Sequence, residues 1–78
     1  MQESSLNSLA PGERGTVKRI DKGHGGLRQR LLEMGFISGT AIEMVRFAPL
    51  GDPIEVRVCG YRLSLRRSEA EAVIVQRD

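Results

Sequence analysis

Cysteine is almost absent from this chain of 78 residues, and the one cysteine, Cys59, has no partner for a disulfide within the chain. A single thiol fits the reducing cytoplasm better than a secreted protein of this size, which would carry several cysteines. No apolar run approaches the roughly 18 residues that a membrane-spanning helix needs. Residues 1–12 also lack the basic and then apolar pattern of a secretion signal. We therefore expect a soluble, cytoplasmic protein.

Catalytic signatures are missing as well. The sequence has no Ser, His and acid set that can be placed together, no HExxH, no glycine loop followed by Lys-Ser or Lys-Thr, and no paired Cys motif. We therefore predict that the protein is not an enzyme and has no firm cofactor. The candidate ligands for a transition metal, iron or zinc, are His24 and Cys59. A tetrahedral site would also need carboxylates such as Asp52 or Glu55, or a second subunit, so a dimeric metal-binding or metal-sensing module is one alternative.

Aromatic residues are scarce, and Phe36, Phe47 and Tyr61 do not alternate with basic residues as in proteins that bind single-stranded nucleic acid. Basic side chains nevertheless outnumber acidic ones by six to two in residues 13–30. Such an excess suits either a solvated surface or an anionic partner. We expect no nucleic-acid partner, and a small nucleic-acid-binding barrel remains the other alternative.

The length predicts one domain spanning residues 1–78, in which residues 1–8 form a flexible N-terminus. Leu27, Leu31 and Met34 are spaced i, i+4 and i+7, which predicts one amphipathic helix at about 26–34. Gly35 follows it and is suited to close the helix end. A helix this short is unstable alone, so it must pack on the remaining chain.

The other segments alternate with a period of two, which is typical of strands with one buried face. The five predicted strands are 15–20, 40–46, 54–59, 61–65 and 73–76. A bulge near Lys18 would bring both Val17 and Ile20 inside. Tyr61 is assigned to the inward set of its strand, and Cys59 is expected to point away from the core. With one helical turn at about 67–71, the predicted fold is mostly β, a small and strongly bent barrel.

Three segments in this order resemble the ferrous iron transport protein A (FeoA) family of small bacterial proteins. They are GERGTVKRI, LRQRLLEMGFISGTAIEM and APLGDPIEVRVCGYRLSLRRSEAEAVIV, and the resemblance extends over residues 6–75. It implies an SH3-like barrel. It also implies a cytoplasmic accessory protein of ferrous iron uptake, which binds and supports or regulates a membrane iron transporter that contains a G-protein domain. Such a protein reaches the membrane only through its partner.

The partner-binding surface is expected at the end of the helix together with the FAPLGDP turn. Phe36, Phe47 and Leu50 are apolar residues in turns, where they either meet a partner or seal the open ends of the barrel. The candidate contact residues are Arg28, Arg30, Glu33, Phe36, Ile37, Phe47, Leu50 and Asp52. The residues assigned to the core are Leu27, Leu31, Met34, Ile42, Val56, Val58, Leu63 and Leu65. An open edge strand would allow two copies to pair, so a homodimer is also considered.

Overall fold

A computed structural model describes residues 3–21 and 26–78, and within them six strands form one antiparallel sheet. The strands are β1 (Glu3–Ser5), β2 (Arg14–Ile20), β3 (Ala41–Phe47), β4 (Ile54–Val58), β5 (Tyr61–Leu65) and β6 (Val73–Arg77). Their order in the sheet is β1-β6-β2-β3-β4-β5. The helices are α1 (Leu27–Glu33) and α2 (Arg67–Ala70), and a 3₁₀ turn covers Leu6–Ser8. Neither α1 nor α2 is long and apolar enough to cross a membrane.

The structure confirms the mostly β fold with one main helix and one helical turn, but it adds a strand at the beginning of the chain. Residues 3–8, which we expected to be flexible, form β1 and the 3₁₀ turn instead. Glu3 lies opposite Gln76 of β6, so β1 extends the sheet. Leu6 is fully buried and anchors the turn that follows. The polar segment gave no alternation from which this strand could be predicted.

The bulge predicted in β2 is confirmed, because the pairing of β2 with β6 shifts register between Val17 and Arg19. Val17 is fully buried as a result. Gly15, in the same strand, lies so close to β6 that a Cβ atom there would be 2.8 Å from the backbone oxygen of Gln76. A second register shift, between Met44 and Arg46 of β3, was not predicted.

The core contains the inward residues of the strands together with Leu31 of α1 and Phe36. Leu27, Met34 and Leu63, which we assigned to the core, are partly buried and pack against it. Tyr61 was assigned to an inward position, and that assignment is wrong, because half of its surface is exposed. It directly follows the tight β4–β5 turn, and its hydroxyl donates a hydrogen bond to the Met34 carbonyl oxygen over 3.3 Å.

Helix α1 is held by side-chain contacts near the two ends of β5. Near its middle, Arg30 forms an ion pair with Glu69 of α2, the helix that follows β5. At its C-terminal end, the Met34 carbonyl accepts a hydrogen bond from Tyr61, the first residue of β5. The side chain of Leu31 is buried in the core.

Candidate partner-binding surface

The loop that joins β3 to β4, residues 48–53, is called the tip loop. Pro49 presets the backbone of its turn, in which the Gly51 N–H donates to the Ala48 carbonyl oxygen over 2.7 Å. The Ala48 N–H in turn donates to the Pro53 carbonyl oxygen over 2.9 Å. At the outer point of this turn, Leu50 is 96% exposed. Leu50 is therefore an apolar residue that the core does not reach, so it does not seal the end of the barrel.

Arg67 of α2 fastens the tip loop to the barrel. Its backbone N–H donates to Asp52 Oδ1 over 3.0 Å, and its guanidinium donates to the Gly51 carbonyl oxygen over 3.4 Å. The same guanidinium lies 5.5 Å from the centroid of the Phe47 ring, a cation–π distance. Asn7 Nδ2, in the 3₁₀ turn, donates to the Arg67 carbonyl oxygen over 2.8 Å and so fixes the backbone of this arginine. Phe47 is half-buried by these contacts and packs against the core.

Further arginines surround the tip loop. Arg46 and Arg62 both reach the carboxylate of Glu55, at 3.0 and 3.3 Å, so one negative charge faces two positive ones. Arg66, at the end of β5, is exposed. The charged residues at this end of the barrel are Arg46, Arg66, Arg67, Asp52, Glu55 and Glu69, together with the guanidiniums of Arg62, which reaches Glu55, and Arg30, which pairs with Glu69. Arginines therefore outnumber acidic residues there by five to three.

The C-terminal end of α1 forms a separate surface next to the β4–β5 turn. Cys59 and Gly60 make this two-residue turn with φ values of 53° and 83°, as a tight hairpin requires. Cys59 is exposed, as predicted, and its Sγ lies 3.9 Å from the Gly35 carbonyl oxygen. Ile37, two residues after Gly35 in the chain, is 54% exposed.

Phe36 was a candidate contact residue and is instead fully buried. The chain doubles back after α1, where the Phe36 N–H donates to the Leu31 carbonyl oxygen over 3.1 Å. This bond turns the ring into the barrel, so the alternative in which Phe36 seals an open end describes it correctly.

The structure does not bring the two parts of the expected surface together. The end of α1 adjoins the β4–β5 turn, whereas the tip loop precedes β4 and therefore lies at the other end of that strand, roughly 13 Å away for a strand of this length. Of the helix candidates, Arg30 is engaged by Glu69, and Glu33 accepts a hydrogen bond from Gln29 over 3.4 Å. Arg28 is exposed.

A groove of about 490 Å³ lies on the outer face of the sheet and was not predicted. Its lining includes Ala41 and Cys59, with Arg14, Arg57, Glu43 and Asp78 as the charged groups. Arg57 is 3.6 Å from Glu43. The groove depends on how β2, β3 and β4 curve past one another, and no local pattern in the sequence indicates this.

Among the described residues, the candidate metal ligands Cys59, Asp52 and Glu55 are not gathered in one place. Within residues 3–21 and 26–78, no three His, Cys, Asp or Glu side chains are positioned to hold one ion. His24 lies outside the described residues. Asp52 and Glu55, the carboxylates considered with Cys59, are engaged by arginines around the tip loop. Cys59, Asp52 and Glu55 therefore do not form a closed zinc site with one another.

The sequence matches the FeoA domain family over residues 4–77. A relative, the Fe(2+) transport protein A/Fe(2+) transporter FeoB fusion protein of Porphyromonas gingivalis (strain ATCC BAA-308 / W83), is 41% identical over 71 residues, which are 91% of this chain and 8% of that protein. The chain is thus equivalent to a small part of the fusion protein.

Two solved structures show the same fold. The FeoA-like protein from Clostridium acetobutylicum has a TM-score of 0.89 at 35% identity, covering 99% of this chain and 88% of that one. The zinc complex of Stenotrophomonas maltophilia FeoA, a prokaryotic SH3 domain protein, has a TM-score of 0.82 at 33% identity, covering 92% and 88%. The SH3-like fold implied by the sequence is therefore confirmed.

Proposed function

Because the chain belongs to the FeoA family, we propose that it is an accessory protein of ferrous iron uptake that binds a membrane ferrous iron transporter and supports or regulates it. In this proposal the transporter contains a G-protein domain on its cytoplasmic side. The chain acts by binding, without catalysis, and reaches the membrane only through this partner.

The observation that carries the proposal is the fused relative. In that protein a segment 41% identical to this chain belongs to the same polypeptide as an Fe(2+) transporter. Covalent linkage holds two modules at an effective concentration of the order of millimolar, which favours a weak contact between them. A separate chain that makes the same contact must supply the affinity through its own surface.

Direct binding to the transporter tests the proposal. The full-length transporter from the same organism, in lipid nanodiscs, is titrated with this protein in the presence of GDP or of a GTP analogue. We expect saturable binding that differs between the two nucleotide states. The absence of saturable binding up to about 1 mM, where the binding free energy is only about 4 kcal/mol, would contradict the proposal.

Metal binding is a second candidate function, favoured by the zinc complex of the Stenotrophomonas maltophilia relative. In this chain it would require His24 or a second copy in addition to Cys59. Such a site would add metal sensing to the accessory role rather than replace it.

A further inference from the structure

We propose that Leu50 is the anchor with which this protein docks into an apolar pocket rimmed by acidic residues on the cytoplasmic part of the ferrous iron transporter. This inference rests on the proposed function and specifies which surface makes the contact. It selects the tip loop over the end of α1, although both were expected to take part.

Leu50 is the most exposed large apolar residue in the part of the chain that the structure describes. It is 96% exposed, whereas Ile37 and Tyr61 are 54% and 50% exposed. The Leu50 side chain thus contributes almost nothing to the core, and nearly all of its apolar surface is free to be removed from water by a partner. An anchor residue of an interface has this property, since it fills a pocket in the partner.

The backbone of the tip loop is held rigidly by hydrogen bonds. Two hydrogen bonds close the turn within the tip loop, and two more join Asp52 and Gly51 to Arg67. The guanidinium of Arg67 is itself placed over the Phe47 ring. The backbone that presents Leu50 is therefore ordered before binding, so association loses less conformational entropy than it would with a flexible loop.

The surface around the tip loop carries an excess of positive charge. Five arginines lie at this end of the barrel or reach it, against three acidic residues, Asp52, Glu55 and Glu69; Glu55 is shared by Arg46 and Arg62, and Glu69 pairs with Arg30. An acidic rim around the receiving pocket would complement this excess and guide the encounter. The arginines thereby define the chemistry of the partner surface.

A protein pocket fits these observations better than a lipid surface. One leucine offers less apolar area than a single acyl chain, and even that gives only marginal membrane binding.

A second copy of this chain is a less suitable partner for Leu50 than the transporter. The groove on its outer face is lined by two basic and two acidic residues, so it has no acidic excess to complement the arginines.

The test compares Leu50→Ser with Ile37→Ser in the nanodisc titration. Both substitutions remove one exposed apolar side chain. Leu50→Ser should unfold at the temperature of the parent, and Ile37→Ser, whose side chain is half-buried, somewhat below it but still as a folded protein at the temperature of the titration. We expect Leu50→Ser to weaken binding at least about tenfold, as for an anchor residue, and Ile37→Ser to change it less than about threefold. Equal weakening by both variants, or no effect of Leu50→Ser, would overturn the inference.

A second variant, Arg66→Gln, tests the acidic rim. Arg66 is exposed, so its replacement should leave the fold intact. We expect a slower association rate, and a weaker dependence of that rate on salt than in the parent. An association rate and salt dependence equal to those of the parent would show that the pocket has no acidic rim.

Two controls test the other possible partners of Leu50, a lipid membrane and a second copy of this chain. Flotation with vesicles of phosphatidylserine and phosphatidylcholine, without transporter, should leave the protein unbound, and flotation that Leu50→Ser abolishes would assign the leucine to the membrane. Sedimentation should show no dimer that depends on Leu50.

If the parent protein fails to bind the transporter at all, the proposed function fails together with this inference. If the parent binds and Leu50→Ser binds equally well, the inference alone fails.

Discussion

At the scale of single residues, Gly15 shows how closely two strands approach within this small barrel. It is buried in β2 between β3 and β6, opposite Ile42 on one side and Arg77 on the other. A Cβ atom at this position would be 2.8 Å from the Gln76 backbone oxygen, and a backbone atom cannot rotate away as a side chain can. The role of Gly15 is therefore spatial, and any larger residue must push β6 away from β2.

The close approach at Gly15 gives the first prediction. Gly15→Ala should destabilise the protein by about 1–3 kcal/mol, the usual cost of inserting a methyl group into a packed site. Gly26→Ala is the matched control, because nothing lies within 4 Å of its Cβ position and its φ of −91° suits alanine. Gly26 is the N-cap of α1, where alanine is less favourable than glycine, so the control should lose only about 0.5 kcal/mol, clearly less than Gly15→Ala. Urea unfolding measures both, and equal stabilities of the two variants would contradict the prediction.

At the scale of elements, α1 depends on its neighbours for stability. It has seven residues, too few for an isolated helix in water. Its anchors are the buried Leu31, the ion pair of Arg30 with Glu69, and the hydrogen bond from Tyr61 to the Met34 carbonyl oxygen. The ion pair is partly exposed to solvent, so the apolar anchor should dominate.

The second prediction concerns that anchor. Leu31→Ala should lower the free energy of unfolding by about 2–5 kcal/mol, because it leaves a cavity beneath the helix. Leu32→Ala provides the comparison, since Leu32 is only partly buried on the same helix. Its loss should be clearly smaller. A Leu31→Ala variant that melts within a few degrees of the parent would show that α1 contributes little to the core.

Strand β1 is joined to β2 by charge as well as through β6, because Glu3 forms an ion pair with Arg19. The hydrogen bond from Arg19 holds the pKa of Glu3 below its ordinary value of 4.5, and the same pair raises the pKa of Arg19. A carboxyl whose pKa is lower in the folded state stabilises the fold above its unfolded pKa, and this contribution is lost as the pH falls through the folded pKa.

The third prediction follows from the lowered pKa of Glu3 in the folded state. Glu3→Gln should melt slightly below the parent at neutral pH, and the difference should shrink as the pH falls below 4.5, the ordinary pKa of the carboxyl. The effect should be small because both side chains are exposed. Glu71→Gln, at another exposed glutamate, serves as the control. A melting difference for Glu3→Gln that stays the same into strong acid would contradict the assignment.

At the scale of the whole molecule, the acidic residues serve mainly to neutralise arginines. The acidic residues in ion pairs with arginine are Glu3, Glu13, Asp21, Glu43, Glu55 and Glu69. A metal ion that recruited these carboxylates would have to break the pairs.

The fourth prediction is that equimolar Zn²⁺ or anaerobic Fe²⁺ leaves the melting temperature unchanged. A ligand present at 100 times its dissociation constant would stabilise the folded state by about 2.7 kcal/mol, which in a domain of this size raises the melting temperature by several degrees. Calorimetry with and without metal measures this. A rise that disappears in Cys59→Ser or His24→Ala would instead establish the metal-binding alternative.

Features of this fold that depend on residues close together in the sequence could be predicted, whereas features that depend on contacts between distant segments could not. The period of two identified β3 to β6, and the irregular spacing of Val17 and Ile20 indicated the bulge in β2, because both signals are local. Tyr61 was misplaced because the period was extended up to a turn, where the strand ends twist away from the core. Phe36 was misplaced because its burial depends on the chain folding back over α1.

The partner surface was harder still to predict. The sequence identified Leu50 and Ile37 as apolar residues in turns, but their positions at opposite ends of β4 depend on the topology of the sheet. The sequence predicted the helical turn that contains Arg67 but gave no role to this arginine. Its contacts with Asp52, Gly51 and Phe47 link segments that are far apart in the chain. A binding surface made from several loops cannot be read from any one of them.

The pairing of β1 with β6 has a consequence for how this domain is carried by larger proteins. Glu3 lies opposite Gln76 in neighbouring antiparallel strands, which are about 5 Å apart. The polypeptide therefore enters and leaves the barrel at almost the same point. A host protein can accept such a module as an insertion in a surface loop without spreading the ends of that loop, and a short linker between residues 78 and 3 should permit circular permutation.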